Sequence, residues 1–294
     1  MTEAGLMAEA LARRVAAITG RHVAAIEPLH GGSIAEVFKV DLVGGQRVVA
    51  KQAKGDQPNA FETEAFMLEA LRQTETVPVP PTLHAEPDLL VLEWIEHRQG
   101  VPNPAAQGDA AERIAALHGI AGEAFGYERD TLIGPLPQPN PRYDHWIEFF
   151  VEHRLLHMAR VALDSGALPS FTMEKVEDVA SQMDDLLIEP ERPSLLHGDL
   201  WAGNLLFSGD RLGALIDPAI YWGAPEIELA YSTLFGSLDN HFYDRYSEIR
   251  TIAPGFFEVR RDLYILYPLL VHLHLFGRTY LPPITKILDR HRRR

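Results

Sequence analysis

Apolar residues recur at helical spacing at the start of the chain: Leu6, Ala10, Leu11, Val15 and Ile18 share one face, with Thr2 placed to cap the helix and Gly20 to end it. The period then drops to two. Val23 to Leu29, Ala35 to Val43 and Arg47 to Gln52 read as strands, and Gly31-Gly32 and Gly44-Gly45 between them are hairpin turn signals. This predicts a small antiparallel sheet with Lys51 near the end of its third strand. Phe61, Ala65, Leu68 and Leu71 return to helical spacing across Asn59 to Gln73, before Pro78, Pro80 and Pro81 stop the helix. Two short strands follow, Thr82 to Ala85 and Leu89 to Glu93.

Beyond Trp94 the character changes. Helical patterns cover Ala105 to His118, His145 to Asp164, Met173 to Leu187, Glu226 to Phe235 and Val259 to Phe276, joined by Pro- and Gly-containing connections. Only Leu195 to His197, Leu205 to Phe207 and Leu212 to Ile216 read as strands, the last two separated by the turn Ser208-Gly209-Asp210. The pattern predicts an α+β chain: a sheet-rich amino lobe over 1–93 and a larger, mostly helical carboxyl lobe over 94–294.

Composition narrows the partners. The 294 residues carry a formal charge of −14, which disfavours a general nucleic-acid binder, because such binding draws on clustered Lys and Arg. The basic tail His291 to Arg294 is read as a solvated end. Zero cysteine excludes disulfides, thiolate zinc sites and cysteine nucleophiles, and fits a reducing cytoplasm. The first residues lack the apolar core of a signal peptide. The longest apolar run, Leu263 to Phe276, falls short of the ~20 residues of a bilayer span and contains Pro268, His272 and His274, so a buried helix is expected rather than membrane insertion.

The chemistry concentrates in HGDLWAGN and in the IDPA that follows it. Asp199 precedes Asn204 by five positions, the kinase catalytic-loop spacing, and Asp217 supplies a second carboxylate where kinases place a magnesium ligand. Phosphoryl transfer asks mainly for positioning and charge compensation. On that reading Asp199 is the base that accepts or orients the attacking hydroxyl, while Asn204 and Asp217 hold Mg2+ through hard oxygens. Lys51 holds the phosphates of ATP, with Glu64 as its ion-pair partner and Glu62 as the rival. Gly31, Gly32 and Ser33 occupy the place of a phosphate-covering loop, although neither GxGxxG nor the Walker pattern is present. Glu93, Trp94 and Ile95 are candidates to meet adenine, with an ordinary linker as the competing reading. His197 is expected to be a buried histidine bonded to the loop backbone. Three motifs are declined: His153 and His157 as a zinc pair, Ala224-Pro225-Glu226 as the end of an activation segment, and His274 as anything but a core histidine.

With these residues in view, the chain resembles the fructosamine kinase (ketosamine-3-kinase) family, within the aminoglycoside phosphotransferase and choline kinase-like superfamily. GGSIAEVFKV, FETEAFMLEAL, HGDLWAGN and IDPAIYWGAPEIELAYSTLFG carry the resemblance, with APGF and HLHLFGRTY near the end. It implies a bilobal protein-kinase-like fold and ATP-dependent phosphorylation of a ketosamine, small or protein-bound, at its third-carbon hydroxyl, with a role in deglycation. It also implies that Trp201 stacks on the sugar-bearing substrate and that His272 lies near the sugar pocket; packing alone is the other reading of Trp201. Ser33 stands where several family members have a cysteine, so thiol-linked dimerisation is not expected. Pro218-Ala219 in place of the DFG pair removes the toggling Phe. A sibling aminoglycoside or choline kinase-like activity and a nucleotide-binding pseudokinase are the alternatives. The oligomeric state stays open, a monomer among the outcomes.

Overall fold

Alternation in the amino-terminal part becomes a five-stranded antiparallel sheet. The computed structural model describes residues 3–29, 35–54, 61–98, 100–236 and 238–292. Thr2 and the loop residues Gly31, Gly32 and Ser33 lie outside the described residues. Helix α1 (Glu3–Thr19) leads into β1 (Val23–Leu29), β2 (Ala35–Leu42) and β3 (Arg47–Ala53); α2 (Phe61–Gln73), β4 (Thr82–Glu86) and β5 (Leu89–Glu93) follow. The strand order is β1-β2-β3-β5-β4. Gly44 and Gly45, at φ 103° and 86°, make the turn between β2 and β3 that only glycine adopts freely.

The period of two sorts this sheet into two faces. Val48, Ala50, Leu89 and Val91 pack with Leu11 and Val15 of α1. Leu90 and Leu92 point the other way and join Phe61, Leu68 and Leu71 of α2 in the main core. Lys51, one residue on from Ala50 and paired with Leu90, therefore faces α2.

The remainder is mostly helical. It runs through α3 (Pro104–Leu117), the hairpin β6 (Thr131–Ile133) and β7 (Leu136–Gln138), α4 (Trp146–Phe150), α5 (His157–Asp164), α6 (Ser170–Ala180) and α7 (Met183–Leu186). Then come β8 (Ser194–Leu196), β9 (Leu205–Ser208), β10 (Arg211–Leu215), β11 (Tyr221–Gly223), α8 (Pro225–Ser232), α9 (Asn240–Ile249), α10 (Arg261–Phe276) and α11 (Leu281–His291). The helix expected over His145 to Asp164 is interrupted by a π-helical turn, Val151–Leu156. That turn carries the buried Arg154, whose guanidinium lies 4.1 Å from the Tyr221 ring centre.

Two helices escape the hydrophobic pattern. In α9 the sequence NHFYDRYSEI is largely polar and buries Phe242, Tyr243 and Tyr246. In α11 the pair Pro282-Pro283 reads as a breaker, yet it sits in the first turn, where the missing N–H groups have no helical partner to lose. The apolar run is α10, buried over most of its length as expected. Among the described residues no helix is long and apolar enough to cross a membrane. His274 corrects the core assignment: it is partly exposed, with Nδ1 3.1 Å from the Ser165 hydroxyl. The apolar letters on either side of it concealed one outward-facing position.

Candidate active site

The catalytic-type loop is a tight link between short strands. β8 ends at Leu196, His197 to Trp201 cross to a 3-10 turn at Ala202–Asn204, and the hairpin of β9 and β10 follows. Ala219 N–H donates to His197 O at 2.7 Å and Ile216 N–H to Asn204 O at 3.1 Å, so the HGD and DPA segments run side by side. Gly198 makes that approach possible. It has φ 86°, and a Cβ there would lie 1.9 Å from Ala219 O. Gly198→Ala is therefore expected to cost ~1–2 kcal/mol from the left-handed backbone alone, with the clash added to it. A urea-denaturation midpoint no lower than that of the parent protein would show that the two segments can separate freely.

Asp199 and Asn204 form one unit. Asn204 Nδ2 donates to both Asp199 O and Asp199 Oδ2, each at 2.8 Å, so its amide has its Oδ1 left to offer. Burial pushes the Asp199 carboxyl up to about 7, against the downward pull of Asn204 and with Asp217 adding to the rise. His197 is fully buried, and its Nε2–H donates to Ile216 O at 3.0 Å while Nδ1 accepts from Asp199 N–H at 3.4 Å. Burial lowers its pKa, so it stays neutral and braces the backbone, as the motif reading expected.

Lys51 reaches this hairpin from β3. Its ammonium is 2.6 Å from Glu64 Oε1 on α2 and also pairs with Asp217. Glu62, one position from the helix start, is exposed, so Glu64 is the carboxylate that meets Lys51. Desolvation would lower the Lys51 pKa, but the charges of Asp217 and Glu64 more than reverse it, and the amine stays protonated. Burial raises Glu64 even with Lys51 opposing. Asp217 is held low by Lys51 in spite of desolvation, and it sits at φ 52°, a left-handed backbone rare outside glycine. Such strain is commonly found at functional positions.

Asn204 and Asp217 could hold a magnesium ion. The described residues contain no cluster of three His, Cys, Asp or Glu arranged for a metal. Two hard-oxygen ligands fit Mg2+, which binds through one or two carboxylates and takes its other ligands from phosphates and water.

Glu93, Trp94 and Ile95 lie where the chain leaves the sheet. Trp94 N–H donates to Arg47 O at 3.3 Å, and Arg98 N–H donates to Phe207 O at 2.9 Å, tying the exit of β5 to β9. His97 Nδ1–H donates to Ile95 O at 2.9 Å, just past the end of β5.

Trp201 and His272 belong to one aromatic group. The Trp201 ring lies over Gly203, where a Cβ would come within 2.3 Å of it, and meets Phe235 edge-on at 5.5 Å. Phe235 contacts His272 at 5.2 Å. Phe235 was not singled out from the sequence, and only its Phe-Gly pair hints at a turn.

A second missed residue is Glu228 on α8, 1% exposed. It accepts Gly198 N–H at 2.5 Å and His197 N–H at 3.1 Å, and His118 Nε2–H at 2.8 Å. His118 in turn shares a 2.7 Å hydrogen bond with Tyr246. Burial alone would raise Glu228, but His118 and these N–H groups hold it low, so a fixed anion sits behind the loop. Of the declined motifs, Glu226 makes a bidentate pair with Arg260 at 2.6 and 2.7 Å, and His153 bonds the Tyr143 hydroxyl at 3.1 Å.

A carboxylate–amide pair and a second carboxylate at the two ends of one hairpin, met by a lysine from the amino-terminal sheet, invite comparison with known kinases. The fructosamine kinase family model matches residues 7–294. This chain belongs to the fructosamine kinase family. A Synechocystis protein assigned as a ketoamine kinase is 35% identical over 284 residues, with 92% of each chain covered. The crystal structure of a protein assigned as a fructosamine-3-kinase from Thermobifida fusca superposes with a TM-score of 0.85 at 36% identity, covering 95% of this chain and 96% of that one. An aminoglycoside phosphotransferase crystallised with AMP-PNP and hygromycin B matches with a TM-score of 0.66 at 18% identity, covering 95% and 97%, and shares the fold. The chain is thus an ATP-dependent kinase of this family with the bilobal kinase-like fold expected from its sequence.

Proposed function

We propose that this chain transfers the γ-phosphoryl group of ATP to the third-carbon hydroxyl of a ketosamine, a sugar joined to an amine through Amadori rearrangement. The observation that carries this reading is the single hairpin that has the bonded pair Asp199 and Asn204 at one end and, at the other, Asp217 paired with Lys51 from the sheet. Names borne by relatives, ketoamine kinase and fructosamine-3-kinase, support the substrate class. We divide the lobes at Trp94, so that ATP lies between them.

In this reading Asp199 takes the proton of the attacking hydroxyl, with Asn204 fixing its carboxylate. A carboxyl lifted toward 7 by burial suits a proton acceptor at neutral pH. Lys51, aligned by Glu64, exchanges its contact with Asp217 for phosphate oxygens. Asn204 and Asp217 hold Mg2+, which when bound neutralises the charge of the phosphates. Glu93 O and Ile95 N–H meet the adenine edge, and Trp94 continues the segment. Trp201 and His272 face the sugar. Gly31, Gly32 and Ser33 remain the expected phosphate loop. The phosphorylated product is labile, which makes deglycation of small or protein-bound ketosamines the consequence. A chain without cysteine suits a reducing cytoplasmic setting.

ATP turnover with ribulose-, erythrulose- and fructose-lysine tests the substrate. At least one should be phosphorylated; turnover only with an aminoglycoside, choline or another alcohol would overturn the ketosamine assignment and leave a sibling kinase. The metal assignment is tested separately. Asp217→Ala should weaken nucleotide binding in the presence of magnesium and change it little without, as read by calorimetry under both conditions. Equal affinity for parent and variant with magnesium present would remove Asp217 as a ligand.

A further inference from the structure

The aromatic group that starts at Trp201 extends well past the catalytic hairpin. Phe235 meets Trp201 at an interplanar angle of 74° and Tyr280 at 86°, with centroids 5.5 and 6.4 Å apart. His272 sits among Phe235, Phe276 and Tyr280 at 5.2, 5.3 and 5.1 Å. Two of these rings are left about half in solvent: Phe235 is 50% and Phe276 45% exposed. Phe235 also has φ 61°, a conformation side chains rarely adopt, so the backbone is held in an unusual state to present an exposed apolar ring.

We propose that these rings form an open aromatic cage for the protonated amine of the ketosamine and the alkyl stem behind it. The inference rests on the ketosamine reading above and names the part of the substrate that the catalytic hairpin does not address. Three features favour this occupant. Trp201 stands two residues after Asp199, and its backbone N–H donates to Asp199 O at 3.0 Å, so the cage is continuous with the reacting position. In a ketosamine the nitrogen is carried on the first carbon, two atoms along from the third carbon whose hydroxyl reacts; with that hydroxyl at Asp199 the ammonium comes next to Trp201 and its substituent runs on over Phe235 and Tyr280. Phe235 and Phe276 keep about half of their surface in solvent, so a substituted ammonium can come within the ~6 Å of a ring face that a cation–π contact needs. His272, kept neutral by burial, adds no opposing charge.

The test compares kcat/KM for two matched substrates, a ribulosyl-lysine adduct and its ether analogue with oxygen in place of the amine nitrogen. Both are run on the parent protein, Phe235→Leu and Tyr280→Leu. The parent should prefer the charged adduct, and each variant should lose roughly 2- to 30-fold of that preference, the span expected for an exposed to a desolvated cation–π contact. Because the readout is a ratio within one preparation, partial misfolding cancels. An unchanged ratio in both variants would overturn the cage while leaving the ketosamine reading in place. Failure of the parent protein to phosphorylate any of the ribulosyl, erythrulosyl and fructosyl adducts would overturn both.

Discussion

Asp199→Asn is expected to lower turnover by about 10²–10⁴, the contribution of a positioned proton acceptor, while ATP binding is largely kept. The substitution preserves the shape that Asn204 grips through Nδ2 and keeps Oδ1 and the backbone O as acceptors. It removes the lone-pair basicity and the negative charge. A loss of kcat with little change in nucleotide affinity separates this effect from collapse of the hairpin. Turnover within a few-fold of the parent protein would take Asp199 out of the mechanism and leave catalysis to positioning alone.

Glu228→Ala should damage the protein more broadly. The carboxylate is the shared acceptor for two backbone N–H groups of the HGD segment and for His118, all of them buried. Removing one partner of a buried charge network leaves donors that water cannot reach, at a cost of about 3–5 kcal/mol. In a chain of this size that corresponds to a fall of roughly 10 °C in the melting temperature. Activity should drop with it, because Gly198 and Asp199 lose the anchor that sets their height against Asp217. Glu228→Gln, which retains an acceptor and the side-chain volume, should fall between the two. A melting curve for Glu228→Ala that overlays the parent, with unchanged kcat, would show that α8 does not brace the loop.

How much of this could be read from the letters follows from how local each role is. Asp199 and Asn204 lead into one short hairpin and Asp217 follows it, so sequence spacing and spatial spacing are nearly the same thing. Lys51 and Glu64 come from a strand and the next helix, and alternation alone turns Lys51 toward α2. Glu228 was out of reach. Its carboxylate acts on residues 30 and 31 positions earlier, and nothing in the α8 sequence separates it from Glu226, which instead pairs with Arg260. The aromatic cage has the same difficulty, since Trp201, Phe235 and Tyr280 meet only after α8 and α10 pack together. His274 failed for the opposite reason: an apolar run suggests burial all round, whereas one side of α10 faces outward beside Ser165. Helix α11 was concealed because Pro282 and Pro283 stop a helix in its interior but start one at its first turn.

The most direct measurement is the position of the transferred phosphorus. Incubation of the protein with ATP, magnesium and a ribulosyl-lysine adduct, followed by phosphorus and carbon NMR of the product, should place the phosphate on the third-carbon oxygen, with Asp199→Asn giving almost none in the same time. Phosphate on a different oxygen, or ATP consumed with no phosphorylated ketosamine formed, would contradict the account.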